Sequence, residues 1–374
     1  MTRRKTPAVS SLPGGFPVLC PASALDAVGQ IHKTAIPAVL DSHLISASLD
    51  ESGRSDRATF MICRRYVRVI FPVLALVCPW PATSTQAARP RDKSEKSEKT
   101  AKPDPADAAY LRAQAAYENA DFDQAIKLFD EVIRLDPKYV QAYVSRGMAW
   151  NEKSEPARAL KDFNDAVKVD PRFAPAFFHR GMTWSARKEY DKAVQDFNAV
   201  LALDPEDDAA LFNRGVAWSQ KGDHDRAIKD FDASIKLDDT FAPAFVSRGD
   251  ALAAKKQYEK ALKDYEESIR LDPKDGTGLN GKAWILATCP DKKYRDGKKA
   301  VVLATMACEQ TRFKEAGFLE TLACAHAEAG QFDEAVKWQK KAIADSEFAK
   351  EAGPDARAKL KLFEQKQSYR DDGR

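Results

Sequence analysis

The folded part of this sequence lacks the surplus of positive charge that a nucleic-acid-binding surface needs. The 374 residues include 59 Lys and Arg and 56 Asp and Glu, for a formal net charge of +3, and the basic surplus lies in residues 1–105. Residues 106–374 are slightly acidic, poor in strand-forming residues and rich in Ala, Lys, Asp and Leu. This composition excludes a nucleic-acid platform, argues against an all-β or parallel α/β fold, and favours helices.

Residues 1–60 lack any sustained helical or strand periodicity, and we predict that they are unstructured. The segment that follows, residues 61–87, has the three parts of a secretory signal: a basic stretch without acids, an apolar stretch (69–78) and a small polar stretch. Because this signal starts only at Met61, residues 1–60 are interpreted as an over-extended gene start. The pattern predicts an exported protein of the periplasm or cell envelope.

A second interpretation of the apolar stretch is an uncleaved membrane anchor over residues 69–82, although a span needs about twenty residues. A third is that the stretch is neither a signal nor an anchor. Residues 88–105 follow as a run of charged side chains with nothing to bury, and we predict a flexible, disordered linker. Contact with a membrane is expected only through an uncleaved signal segment.

Six columns of residues recur at a step of 34 over five successive units. An Arg-Gly pair is followed three residues later by Trp or Leu, then by Ala, by an aromatic residue, and by a closing Leu/Val-Asp-Pro. The fourth unit ends in Leu237-Asp-Asp239 and lacks the proline. The main columns are Arg146-Gly147, Arg180-Gly181, Arg214-Gly215 and Arg248-Gly249; Trp150, Trp184, Trp218 and Leu252; Ala125, Ala159, Ala193, Ala227 and Ala261; and Phe129, Phe163, Phe197, Phe231 and Tyr265.

Each unit fits a pair of antiparallel helices. Small residues at the eighth and twentieth places allow the helices to approach closely, aromatic residues at the eleventh and twenty-fourth places fill the space between them, and proline at the thirty-second place ends the second helix. One pair buries only one face, so the units must stack into a solenoid. These residues resemble the tetratricopeptide repeat (TPR) family. The resemblance implies an all-α, right-handed superhelical solenoid of about seven repeats over residues 106–345, five regular and two degenerate.

The degenerate sixth repeat fits the pattern if five extra residues separate its two helices. Asp296 is then the expected N-cap of the second helix and Gly297 its first residue. Residues 283–290, 295–297 and 335–339 resemble a C-terminal module, with the letters ATCPD, RDG and AVKWQ, of some exported bacterial TPR proteins. No activity attaches to that resemblance.

Residues 346–374 are predicted to form an amphipathic helix and a tail. Ala356, Leu360 and Phe363 share one face of this helix, which we expect to cap the last repeat because the end of a solenoid must be covered. The alternative is a frayed tail.

No residue pattern indicates a catalytic, cofactor or metal site. Residues 276–281 match G-x-G-x-x-G, but a repeat helix precedes them where a dinucleotide site needs a strand, so we interpret them as an inter-repeat turn. His179, His224 and His326 lie in three different repeats without partners at metal spacing, and His179 is expected on a helix surface.

Three cysteines fall within the repeats: Cys289, Cys308 and Cys324. We interpret them as buried free thiols. The alternative, in an oxidising compartment, is a disulfide between Cys308 and Cys324.

Two charged columns predict a repeated ion pair. Arginine at the seventh place and aspartate at the twenty-third place both occur in repeats two to five, and both are absent from repeat one. Two schemes stay open: pairing within one repeat, or pairing of each Asp with the next repeat's Arg, where Lys282 would complete the series for Asp264. The Asp column is Asp162, Asp196, Asp230 and Asp264.

The TPR resemblance implies that the second, fifth, ninth, twelfth and thirteenth places line a concave face that binds a protein or peptide. In repeats two to five these places are largely apolar with a small polar rim and hold no cation, so the carboxylate clamp of one TPR class is missing. An amphipathic helix or an extended apolar peptide would fit; alternatively, adjacent helices bury these residues and they bind nothing. The candidate groove residues are Val144, Met148, Asn151, Phe178, Met182, Ser185, Phe212, Val216, Ser219, Val246 and Asp250.

The sequence therefore favours a non-catalytic protein-interaction scaffold without a cofactor. An accessory factor for cell-envelope assembly or secretion is the first alternative, and a subunit of an enzyme is the second. No side-chain pattern identifies the partner.

Overall fold

The computed structural model describes residues 104–371, and every regular element in this range is helical, with sixteen α-helices, one 3-10 helix and no strand. The predictions for residues 1–60, the signal at 61–87 and nearly all of the linker at 88–105 lie outside the described residues. None of the helices in the described range combines the length and apolar character needed to cross a bilayer.

The five regular repeats are five consecutive helix pairs, joined by short turns. In each pair the two helices pack mainly on each other, and the second helix packs on the first helix of the next pair. The pairs are α1 (Pro105–Glu118) and α2 (Phe122–Leu135), α3 (Val140–Glu152) and α4 (Pro156–Val169), α5 (Ala174–Ala186) and α6 (Tyr190–Leu203), α7 (Asp208–Gln220) and α8 (His224–Leu237), and α9 (Ala242–Ala254) and α10 (Tyr258–Leu271).

The aspartate of each Leu/Val-Asp-Pro end makes the turn between repeats. Asp136 leaves the helical conformation and its carboxylate accepts a hydrogen bond from the backbone N–H of Lys138, two residues on, at 2.9 Å. The repeat that lacks the proline forms the same turn, because Asp238 accepts from Thr240 N at 3.0 Å. The aspartate therefore suffices for the turn, and the proline only reinforces the end of the helix.

Glycine at the eighth place allows the two helices of a repeat to touch. A Cβ on Gly147 would lie 2.5 Å from Phe163 Cε1, and one on Gly215 would lie 2.7 Å from Phe231 Cε1. The rings that press against these glycines are almost completely buried. The predicted close approach of the two helices is confirmed.

The tryptophans at the eleventh place are less buried than predicted. Each is half-buried, and the side chain of a basic residue from the second helix covers its exposed face. The guanidinium of Arg158 lies 4.5 Å from the ring centre of Trp150, and Lys192 Nζ lies 4.3 Å from that of Trp184. The stripe is therefore the outer border of the core, where cation–π contact replaces full burial.

Two further pairs and two terminal helices complete the described chain. The sixth pair is α11 (Gly276–Thr288) and α12 (Gly297–Gln310), with the 3-10 helix Lys292–Tyr294 between them, and the seventh is α13 (Ala316–Glu328) and α14 (Phe332–Ile343); α15 (Ser346–Glu351) and α16 (Gly353–Glu364) follow.

The second helix of the sixth repeat begins where the sequence predicted, after the inserted residues. Asp296 caps α12, its carboxylate accepting from the backbone N–H of Lys299 at 3.1 Å, and Gly297 is the first residue of that helix. A side chain at Gly297 would collide with the backbone at Ala329, since a Cβ would lie 2.6 Å from its nitrogen. The close contact with the end of α13 requires glycine here.

Helix α16 packs on α14, with Ala356 and Phe363 completely buried and Leu360 half-buried. The same face buries Lys359, which is 4% exposed and which the apolar pattern did not predict. Lys366 follows with a φ of 55°, and the N–H of Gln367 donates to Leu362 O at 2.9 Å. This left-handed residue reverses the chain and sends residues 367–371 back towards the repeats.

Candidate binding groove

The first helices of the repeats form a continuous layer. Each first helix contacts the first helix of the next repeat, from α1 through to α13, whereas successive second helices make marginal contact at most. In a curved stack of helix pairs, the layer with the closer neighbours is the inner one. A groove on this layer is lined by side chains of the odd-numbered helices, and the candidate residues predicted from the sequence all lie on α3, α5, α7 and α9.

The middle of this layer is apolar. The Phe178 ring packs edge-on against Phe197, with ring centres 5.8 Å apart, and Phe212 contacts Phe231 at 5.8 Å and Phe241 at 5.0 Å. Both rings are half-buried. Each phenylalanine ring therefore packs one side against the core and leaves part of its surface accessible to solvent.

Three smaller apolar side chains accompany these rings. Met182 packs in the same cluster as Phe178, Val216 in the same cluster as Phe212, and Val246 lies on the next first helix. All three are half-buried. Together with Phe178 and Phe212 they form what we call the apolar strip.

Several other candidates are already engaged within the fold. Val144 is 5% exposed and belongs to the core, so its expected place in the groove is wrong. Asn151 donates from Nδ2 to Thr183 Oγ1 of the next repeat at 2.8 Å. Met148 packs among the core residues of repeats one and two. These contacts shift the accessible part of the groove towards repeats three to five.

Ser185 and Ser219 are both half-buried. The Ser185 hydroxyl oxygen is buried and makes no hydrogen bond within the described residues. Its hydrogen-bonding capacity is thus left unused by the described residues.

Asp250 is the acidic end of the groove. Its carboxylate accepts a hydrogen bond from Tyr265 OH at 2.7 Å. Burial raises the pKa of Asp250 to about 6, and the bond from Tyr265 offsets part of that rise. The sequence predicted its position, but its bond to Tyr265 depends on the packing of α9 on α10.

The predicted ion pairs form within each repeat. Arg180 donates from Nε and Nη2 to the two carboxylate oxygens of Asp196, at 2.9 and 2.6 Å, and the other three repeats have the same geometry. The aspartates are largely buried. The scheme that joins each Asp to the next repeat's Arg is wrong.

Each arginine also reaches the preceding repeat, through a bond that the sequence analysis did not predict. The free Nη1 of each arginine donates to a side chain on the preceding second helix, for example from Arg214 to Asn198 at 2.7 Å. Lys282 takes this role in the sixth repeat, pairing with Glu266 at 2.9 Å and not with Asp264. The signal was another column at a step of 34: Asp130, Asn164, Asn198, Asp232 and Glu266.

His179 and the three cysteines of the described range are packed within the repeats. His179 is half-buried and stacked on Phe163 with ring centres 5.9 Å apart, and desolvation lowers its pKa to about 4, so it is less exposed than a surface position implies. Cys289, Cys308 and Cys324 are free and buried, which excludes the alternative of a Cys308–Cys324 disulfide in this structure. Among residues 104–371 no group of His, Cys, Asp and Glu side chains could hold a metal ion.

The groove is closed at its C-terminal end by the chain itself. Residues 368–371 lie against α11 and α13, the first helices of repeats six and seven. Arg295, which precedes α12, pairs with Glu328 of α13 at 3.0 Å. The sequence predicted a terminal cap but not this return to the inner layer.

Family models of the tetratricopeptide repeat match residues 110–176 and 184–243, 242–275 and 316–347. These matches together span about half of the sequence, and the chain belongs to the TPR family. No curated protein matches the chain significantly.

Solved TPR structures share the fold at low sequence identity. A tetratricopeptide repeat protein from Parabacteroides merdae is 16% identical, over 69% of this chain and 98% of that one, with a TM-score of 0.53. PilF of Pseudomonas aeruginosa is 18% identical, over 58% and 96%, with a TM-score of 0.50. YrrB, described as a TPR protein with an unusual peptide-binding site, is 23% identical over 48% and 92%, with a TM-score of 0.43. At these identities the similarity concerns the fold alone.

Proposed function

We propose that this protein is a non-catalytic scaffold that binds an apolar peptide or the apolar face of a partner's helix on the inner layer of repeats three to five. The observation that carries the proposal is the apolar strip: five half-buried apolar side chains on three consecutive first helices, with no cation among the neighbouring groove places. An extended peptide or an amphipathic helix buries such a strip and leaves its own polar face in water.

The two ends of the strip differ in polarity, which gives the bound segment a direction. Ser185 offers an unpaired buried hydroxyl on α5, and Asp250 offers a carboxylate on α9. A basic or hydrogen-bond-donating side chain of the ligand suits the Asp250 end. No cation among the groove places is available to hold a terminal carboxylate, so the ligand binds through internal residues.

The test uses variants that change polarity while keeping volume. Phe178 and Phe212 each complete the core, so truncating them would confuse binding with stability. Met182→Gln and Val216→Thr are close in shape to the native side chains and are the better choice. Leu111→Gln and Val302→Thr likewise replace an apolar side chain by Gln and by Thr, at positions that are 65% and 59% exposed and away from the groove places.

Peptides are selected from a random library against the full chain, and their affinity is measured by fluorescence polarisation. We expect selected peptides to be apolar and to lose at least about tenfold in affinity for the Met182→Gln, Val216→Thr double variant. The control double variant should bind as the native chain does, and all melting temperatures should agree closely. Selection of no peptide, or equal loss in both double variants, would contradict the proposal.

A role in cell-envelope assembly or secretion is the more specific form of this proposal, and it depends on the export signal predicted at residues 61–87. N-terminal sequencing of the native protein tests that signal. A mature start near Ala88 would support export, and abundant peptides from residues 1–60 would contradict it.

A further inference from the structure

The inner layer of repeats six and seven already holds an occupant. After the reversal at Lys366, the chain runs across α11 and α13, and residues 368–371 are half-buried there while residues 364–367 are exposed. Two of its contacts are to backbone carbonyls: Asp371 N donates to Thr288 O at 2.9 Å, and Ser368 Oγ donates to Ala327 O at 2.9 Å. Both carbonyls belong to the last turns of first helices, and the Ala327 oxygen also accepts a hydrogen bond from Gly330 N at 3.1 Å.

The side chains of the tail contact residues at the repeat positions that line the groove. Trp284, at the ninth place of repeat six, donates from Nε1 to Asp371 Oδ2 at 2.8 Å, and its ring centre lies 6.1 Å from that of Tyr369. Glu328, at the thirteenth place of repeat seven, pairs with Arg370 at 2.7 Å. The tail thus presents an aromatic, a basic and an acidic side chain in succession. The aromatic ring contacts the Trp284 indole, the basic side chain pairs with the Glu328 carboxylate, and the acidic side chain accepts from the Trp284 N–H.

Lys359 of α16 extends the same contact surface. Its Nζ pairs with Glu320, at the fifth place of repeat seven, at 2.9 Å, and it lies 4.8 Å from the ring centre of Tyr369. Gln339 of α14 also donates to Glu320, at 3.0 Å. Lys359 and Glu320 are buried with several bonds each and belong to the fixed structure, whereas the tail is attached through few backbone bonds.

We propose that residues 368–371 are an intramolecular ligand of a second peptide site, formed by Trp284, Thr288, Ala327 and Glu328, and that the site accepts a partner segment of the same chemistry when the tail detaches. That segment is an extended Tyr-Arg-Asp or a similar aromatic–basic–acidic sequence. The site lies in repeats six and seven and differs in chemistry from the apolar strip, so it stands or falls independently of the function proposed above. A segment with low local stability is the part of a fold that opens most readily.

A labelled peptide with the sequence of residues 367–374 tests the site in trans. The native full chain should bind it weakly, because its own tail competes at a high effective concentration. The full chain with Tyr369→Ala and Arg370→Ala should bind it at least about tenfold more tightly. The tail of this variant has lost the ring contact with Trp284 and the ion pair with Glu328, so it competes less well. Adding Glu328→Gln to this variant should abolish the gain, and a control peptide with Ala in place of Tyr and Arg should bind neither chain.

Hydrogen exchange on the unaltered chain tests independently whether the tail detaches from α11 and α13. The amide of Asp371 should exchange more than about a hundredfold faster than the central amides of α11 and α13, which shows that the tail opens alone. Exchange of Asp371 together with those helices would make the tail a fixed part of the fold and overturn the proposal. It would also be overturned by equal peptide affinity for the native and tail variants, or by no binding to either. The Met182→Gln, Val216→Thr variant should bind this peptide as its parent does.

Discussion

Arg214 donates two parallel hydrogen bonds to Asp230, from Nε at 2.8 Å and from Nη2 at 2.7 Å, and so joins the two helices of one repeat. Its third nitrogen donates to Asn198 of the preceding repeat at 2.7 Å. One side chain therefore links three helices. Because the arrangement recurs in four repeats, it forms a polar ladder along the solenoid.

The first prediction concerns this ladder. Asp230→Asn removes the charge that Arg214 faces while keeping the shape, and we expect it to lower the free energy of unfolding by about 1.5–3 kcal/mol, the range for hydrogen bonds to charged groups. The exposed pair Lys263–Glu259 is the control, since solvent screens this pair and Glu259→Gln should leave the urea midpoint nearly unchanged. Urea unfolding of both variants gives the comparison. Equal losses would show that the ladder adds no more than an exposed surface pair.

The second prediction concerns the contact between helices. Gly147→Ala forces a methyl group against the Phe163 ring, and we expect a loss of about 1–3 kcal/mol from the strain. Gly317→Ala is the matched control in another first helix, where no atom lies within 4 Å of the new Cβ. It should be neutral or stabilising by up to about 1 kcal/mol because alanine favours helix. Thermal melting followed by circular dichroism distinguishes the two, and a destabilised Gly317→Ala would contradict this account.

The third prediction is a pH dependence at Asp250. The folded pKa of about 6 lies above the ordinary value, so the folded chain holds this proton more tightly than the unfolded chain does. The contribution of Asp250 to stability is therefore greatest at low pH and is lost as the pH rises from about 4 to about 6. Asn mimics the protonated acid and still accepts the bond from Tyr265.

We expect Asp250→Asn to melt several degrees above the native chain at pH 7.5, with the difference shrinking as the pH falls towards 4. The readout is the difference in melting temperature between the two proteins, because the lowered pKa of half-buried His179 changes the stability of both alike, in the opposite direction. A difference that is independent of pH would show that Asp250 is not the titrating group.

The fourth prediction concerns the thiols. Burial raises the pKa of Cys308 to about 12 and raises that of Cys324 further, so neither is a thiolate at neutral pH. We expect iodoacetamide at pH 8 to leave both unmodified in the native chain and to label both after denaturation, as mapped by mass spectrometry. Rapid labelling of Cys308 in the native chain, or recovery of a Cys308–Cys324 disulfide peptide, would contradict the structure.

The repeat architecture could be predicted in detail because each unit uses short-range rules. Gly147 and Phe163 stand sixteen residues apart in one helix pair, and a step of 34 repeats their relationship down the chain. The same periodicity predicted that the Arg and Asp columns touch. It could not decide between pairing within and between repeats, since that depends on the rotation of one helix pair against the next.

The candidate site was predicted less completely. The repeat pattern placed Phe178, Met182, Phe212 and Val216 on the inner layer, but it treated Val144 as equivalent although the packing around it closes the space. Burial of a groove position depends on the side chains of neighbouring repeats, which differ from place to place. The position of a residue in the repeat therefore determines which layer its side chain faces, but not how much of that side chain is exposed.

The sequence by itself determined the helix pairs, their stacking and the apolar character of the inner layer, because helix periodicity, small residues and turn-forming aspartates act within about 34 residues. Only the tertiary structure decided where residues 368–371 lie. Asp371 meets Thr288 and Trp284 across more than eighty residues of chain, and no local preference encodes such a contact. It forms because the reversal at Lys366 directs the tail to the C-terminal ends of two first helices, whose carbonyls accept its hydrogen bonds.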